Sequence, residues 1–125
     1  MPKTIHGLTW NEVAARHRVN GWSKSIGDGW AEIMERLLTD LEALGWSRAP
    51  ITRLEEKYGE LCFEVASGKE WTSAMEDRVT EAERESDRTC SKCGRPGEEV
   101  IVRGWVHKLC PGCALANHPA DSEGS

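Results

Sequence analysis

The sequence predicts an α+β fold in which helices pack on a small antiparallel hairpin and a zinc ribbon is attached at the C-terminal end. Three observations predict it. An apolar stripe of helical period runs from Trp30 to Leu44, an alternating pattern surrounds Tyr58-Gly59, and two Cys-x-x-Cys pairs occupy the last third. At 125 residues the chain is one domain, or one domain with a small metal-stapled appendage. The expected division is a core over 1–89, the ribbon over 90–117 and a polar, disordered tail over 118–125.

Thr9-Trp10-Asn11-Glu12 has the form of a capping box and predicts a short helix to about Arg18, stopped by Asn20-Gly21. Residues 21–30, rich in glycine and tryptophan, predict an ordered loop. Asp28 is then placed as the N-cap of the main helix, whose stripe is Trp30, Ile33, Met34, Leu37, Leu38, Leu41 and Leu44. Gly45 ends that helix from the C′ position.

After Pro50 the period changes to two. Leu61, Phe63 and Val65 alternate with Glu60, Cys62 and Glu64, which predicts a hairpin turning at Lys57-Tyr58-Gly59-Glu60. Ser67-Gly68-Lys69-Glu70 has the form of a second capping box. It is expected to open an acidic helix, with Trp71, Met75, Val79 and Ala82 on its apolar side, that runs to about Arg88.

Cys90-Ser-Lys-Cys93, sixteen intervening residues and Cys110-Pro-Gly-Cys113 match the spacing of a tetrahedral four-sulfur zinc site. Two intervening residues let a tight turn bring both sulfurs to one edge of the tetrahedron. Gly94 and Gly112 are expected to relieve the torsions of the two knuckles. Residues 99–103 and 105–108 read as two strands around Gly104. Four thiolates fill the coordination shell of zinc, so the expected ion is structural. Disulfides and a redox Cys-x-x-Cys are the alternatives, with His107 and His118 as substitute ligands. Cys62, between Glu60 and Glu64, is set against thiolate formation and hence against nucleophilic use.

The formal net charge of −5 argues against wholesale coating of nucleic acid. Charge is uneven: residues 25–89 carry sixteen acidic and eight basic groups, and residues 90–113 two acidic and four basic. No stretch approaches the roughly 18 apolar residues of a membrane span, and no apolar run follows the first six residues. A cytoplasmic location follows as the expectation, which favours metal binding over disulfides.

Gly27-Asp28-Gly29-Trp30, Glu56-Lys57-Tyr58-Gly59-Glu60-Leu61-Cys62-Phe63 and Cys90-Ser91-Lys92-Cys93-Gly94-Arg95-Pro96-Gly97 together resemble a set of small bacterial and phage proteins. Those carry a Gly-Asp-Gly-Trp helix start, a hairpin, an acidic helix and a four-cysteine ribbon. The resemblance spans about 27–113 and implies this architecture and a phage or prophage setting, with no mechanism attached. Glu60 stands where a second glycine is expected.

No spacing among His6, Glu12, His17 and Asp28 commands a catalytic arrangement, and a non-enzymatic role is expected. The first functional expectation is a protein-interaction module, with Trp22, Trp46 and Trp105 as indole anchors. Its partner would be a host protein or complex, such as a nucleic-acid-binding defence system. The second is nucleic-acid binding through a basic ribbon face of Lys92, Arg95, Arg103, His107 and Lys108. Residues 9–20 also faintly resemble the start of a helix-turn-helix, although Gly27 and Gly29 suit a recognition helix poorly.

Overall fold

The structure, a computed structural model, describes residues 6–19, 26–46, 51–66 and 71–116. Element order among them is α1 (Trp10–Arg16), α2 (Ala31–Ala43), β1 (Ile51–Lys57), β2 (Glu60–Val65), α3 (Ser73–Ser86), β3 (Glu98–Val102), β4 (Trp105–Leu109) and α4 (Pro111–Ala116). β1 pairs with β2 and β3 with β4, giving two antiparallel hairpins. The fold is therefore α+β. Trp22, the capping box at 67–70, His118 and the tail lie outside the described residues.

The apolar stripe of α2 is the centre of the core. Met34, Leu37, Leu38 and Leu41 are fully buried, against Trp10 and Val13 of α1, Leu54, Leu61 and Phe63 of the first hairpin, and Met75, Val79 and Ala82 of α3. Truncating one such leucine to alanine costs about 2–5 kcal/mol in a close-packed core. Polar rims hold the helices in register: Arg78 Nε donates to Asp40 Oδ2 at 2.6 Å, and Arg36 Nη1 to Glu85 Oε2 at 2.9 Å.

Each helix end follows from its residues, with two departures from expectation. Thr9 and Glu12 form the full capping box on α1. Asp28 does not cap its own helix. It begins a single 3-10 turn, Asp28–Trp30, and its Oδ1 accepts the Trp10 backbone N–H at 2.9 Å, so it serves the first turn of α1 instead. α2 ends in a Schellman motif: Gly45, at φ 104°, donates to Glu42 O at 3.1 Å, and Trp46 N donates to Leu41 O at 2.9 Å. The second departure is at α3, which starts at Ser73 because Thr72 is extended and its side chain accepts the Met75 N–H. Trp71 therefore precedes the helix and packs half-buried on the core.

Both hairpins turn in two residues with positive φ. Tyr58 and Gly59 lie at 54° and 77°, and Arg103 and Gly104 at 53° and 84°, which matches the primed turn whose twist suits paired strands. Because two residues suffice, Glu60 is already the first residue of β2, paired with Lys57, and needs no glycine. Leu54 faces Phe63 and Glu56 faces Leu61 across the ladder. A carboxylate thus sits on the core-facing row of β1, where alternation calls for an apolar side chain.

The ribbon has its own small cluster, Cys90, Cys93, Val102, Leu109 and Cys110. It is joined to the main core mostly through backbone. Gly29 N–H donates to Ser91 O at 2.8 Å, and Trp30 Nε1–H to Thr89 O at 2.8 Å. A Cβ at Gly29 would lie 2.2 Å from Cys90 O, and one at Gly27 2.1 Å from Ser91 O. Only glycine admits this approach. Gly29→Ala should therefore cost about 3 kcal/mol or more through forced separation of backbones. Thermal unfolding combined with metal content checks it: a melting curve and metal content matching the parent would show that the two parts are not joined here.

Candidate metal centre

Cys90, Cys93, Cys110 and Cys113 offer one sulfur each, all within 4.8 Å of one another. The first three are buried and Cys113 is half-buried. Cys93 Sγ and Cys110 Sγ stand 3.6 Å apart. A tetrahedral ion with bonds of about 2.3 Å needs sulfur pairs at about 3.8 Å, so the cluster fits a four-thiolate metal ion. None of the five cysteines is in a disulfide.

The two knuckles are built differently. The first, after Cys90, is a turn: Gly94 N–H donates to Cys90 O at 3.0 Å, with Gly94 at φ 88°. The Arg95 backbone N–H favours the thiolate of Cys93, although burial and neighbouring thiols leave that group raised overall. Burial is the largest influence.

The second knuckle opens a helix. Pro111, which lacks an N–H, takes the first position of α4, and the Cys113 N–H donates to Cys110 Sγ at 3.4 Å. The sulfur thus stands where a helix-capping oxygen would. Gly112 has no positive φ and open space around its Cα, so the expected torsional role falls to Gly94 alone.

This arrangement sets the order of thiol ionisation. Burial opposes a Cys110 thiolate, but the Cys113 N–H and the thiols of Cys93, Cys113 and Cys90 converge on it and lower it to about 7. Burial and the same shared hydrogen bonds push Cys113 far up. One thiolate is thus ready near neutral pH, and an arriving cation must displace protons from its neighbours.

Ser91 holds the first knuckle in place. Its N–H donates to Lys108 O at 2.9 Å, while its C=O accepts from Gly29. His6 adds a brace. Its Nδ1 accepts the Leu8 N–H at 3.0 Å, which leaves the proton on Nε2, 3.4 Å from Gly29 O, with the ring against Gly94.

The proposed partner-contact residues separate sharply. Trp105 is 67% exposed, and Arg95 and Arg103 are exposed. Trp46 is 5% exposed and belongs to the core, because the Schellman motif folds the residue after Gly45 back onto the helix; it is no surface anchor. Lys108 is 6% exposed, its Nζ donating to Gly59 O at 3.0 Å and pairing with Asp87 at 3.6 Å. It is an internal strut between the hairpins, not part of a basic face. His107 is half-buried, 3.9 Å from Glu56, and outside the sulfur cluster; burial, then Lys92, lowers its pKa.

The remaining candidates have structural tasks. His17 is buried between Glu42, at 3.2 Å, and Glu35, at 3.3 Å. Glu12 and Asp28 serve α1, as described above. Cys62 is half-buried; burial raises its thiol, and Glu55, Glu83 and Glu60 outnumber the opposing Arg53. Tyr58, which sequence reasoning used only as a turn residue, is 66% exposed beside Trp105. The Lys57-Tyr58-Gly59 turn carried the signal, since a bulky residue at positive φ is unusual.

No protein-family model, curated protein or solved structure matches the chain. No helix among the described residues is long and apolar enough to cross a membrane.

Two outcomes follow for the centre. Cys93→Ser should release the ion and unfold 90–113, read as metal content and loss of amide dispersion in that segment only. Ion affinity should fall as pH is lowered, because protons compete with the ion for the four thiolates. Competition with a coloured chelator at several pH values measures this, and an affinity independent of pH would contradict thiolate ligation.

Proposed function

We propose that this protein is a zinc-stabilised interaction module that binds another protein and carries out no chemistry of its own. Zinc is the ion that four thiolates at this spacing suit best, and with its shell filled it keeps no position for a reactive water. The reading places the protein in the cytosol, where thiols stay reduced.

The observation that carries the interaction reading is the pair of exposed aromatics on adjacent hairpin turns. Tyr58 and Trp105 together line a groove of about 340 Å³, with Ile101, also exposed, on the neighbouring strand. Large aromatic side chains held outward on rigid elements lose little conformational freedom on binding, and they dominate interface energetics where they occur. Zinc would order β4, and the Lys108 strut ties that strand to the first turn, so the groove is set before a partner arrives and the ordering cost of association is lowered.

The resemblance to small phage proteins suggests a host protein or complex as target, including a defence complex that handles nucleic acid. The acidic middle segment suits a basic partner surface. A nucleic-acid reading retains Lys92, Arg95 and Arg103 but loses Lys108, which is buried.

A tagged pull-down from bacterial lysate, with and without nuclease, tests the proposal. The expected result is one stoichiometric protein that survives nuclease. Trp105→Ala should weaken its capture about tenfold or more, the loss typical of an interface anchor, with zinc content and melting unchanged. Recovery abolished by nuclease would transfer the function to nucleic-acid binding.

A further inference from the structure

The groove between the two hairpin turns contains a feature that packing does not explain. Glu56 occupies the core-facing row of β1 opposite Leu61, at a position where alternation calls for an apolar side chain. Its side chain is 17% exposed, and Oε2 has no hydrogen-bond partner among the described residues. His107 Nδ1 stands 3.9 Å away, beyond hydrogen-bond length, and its lowered pKa keeps it neutral. Burial pushes the Glu56 carboxyl up, and the charges of Lys108 and then Lys92 oppose that rise without supplying a hydrogen bond to Oε2, so a donor reaching the carboxyl from the groove would be favourable.

The walls of the groove define that donor. Tyr58 and Trp105 are two-thirds exposed, and Tyr58 holds its place only by adopting φ 54°, a conformation disfavoured for a bulky residue. The Tyr58 ring already takes a cation, with Lys57 Nζ 5.7 Å from its centroid. Aromatic faces beside a carboxylate select a cationic group that can both stack and donate. Of the protein cations, the planar guanidinium does both, forking onto a carboxylate while lying flat on a ring, whereas an ammonium keeps its water more strongly. The net charge of −5 draws such a partner in from a distance.

We propose that this groove is a binding site for an arginine side chain of the partner protein, with Glu56 accepting the guanidinium and Tyr58 and Trp105 stacking on it. The proposal rests on the interaction reading above and names the chemistry of its contact. Lys57, Gly59, Val106 and His107 complete the lining, and Lys108, tied to Gly59 O and Asp87, holds β4 against the first turn without entering the groove.

The test uses the full zinc-loaded chain, isotope-labelled, titrated with a capped Gly-Gly-Arg-Gly-Gly peptide and with its lysine counterpart. Saturable shifts confined to the amides of 56–59 and 105–107 and the Trp105 indole, at least about fivefold tighter for arginine than for lysine, are expected. Glu56→Gln should weaken the arginine peptide by roughly tenfold or more, with zinc content and the remaining spectrum unchanged. Equal binding of both peptides, no saturable shift, or full binding by Glu56→Gln would overturn the proposal. Should Glu56→Gln still capture the lysate protein at full strength, the arginine site falls and the interaction reading stands. Loss of capture in Trp105→Ala alone would then locate the contact on the aromatic wall.

Discussion

The peptide unit of Ser91 is the point on which the assembly turns. Its carbonyl accepts from Gly29, and its N–H donates to Lys108 O. One residue of a metal knuckle therefore completes hydrogen bonds of the helical core on one side and of the ribbon strand on the other. The geometry demands glycine at 27 and 29, because backbone must touch backbone there. It also explains Asp28: held between those glycines, its carboxylate reaches α1 and caps it at Trp10. The Gly-Asp-Gly-Trp run is thus a joint linking α1, α2 and the first knuckle, and Trp30 secures it with an indole bond to Thr89.

What sequence reasoning recovers is what local periodicity and spacing encode. The α2 stripe as far as Leu41, the two hairpins and the grouping of the four cysteines depend on residues close together in the chain, and each is present; Leu44, expected on the stripe, is exposed because the helix ends there. Its failures involve distant partners. Nothing near Asp28 signals that its acceptor would serve a helix eighteen residues earlier. Lys108 reads as a surface cation because lysine is rarely buried, and its partners Gly59 and Asp87 come from two other elements. Trp46 could have been placed inward, since the residue after a Schellman glycine packs back on its helix. The Tyr58 wall and the Glu56 floor become visible only once β4 is set beside the first hairpin.

Each hairpin is anchored to a different cluster. The Leu54–Phe63 pair binds the first hairpin to α2 and α3, and Val102 and Leu109 bind the second to the sulfur cluster. The first turn carries Tyr58 at positive φ with the inward Glu56 just before it, and β4 opens on the exposed Trp105. Lys108 on β4, opposite Glu99, joins that strand to the first turn through a charge that would be costly to bury alone, and Gly59 O with Asp87 offset that cost.

The Trp30–Thr89 bond also bears on the order in which the chain assembles. Its partners lie 59 positions apart, whereas each cysteine pair closes over two intervening residues. Short loops close fast and with little entropic cost, so both knuckles and both hairpins can form before the long loop closes. The ribbon's contact with Gly29 therefore belongs to the same closure that brings α3 onto α2, since Thr89 and Ser91 follow α3 directly.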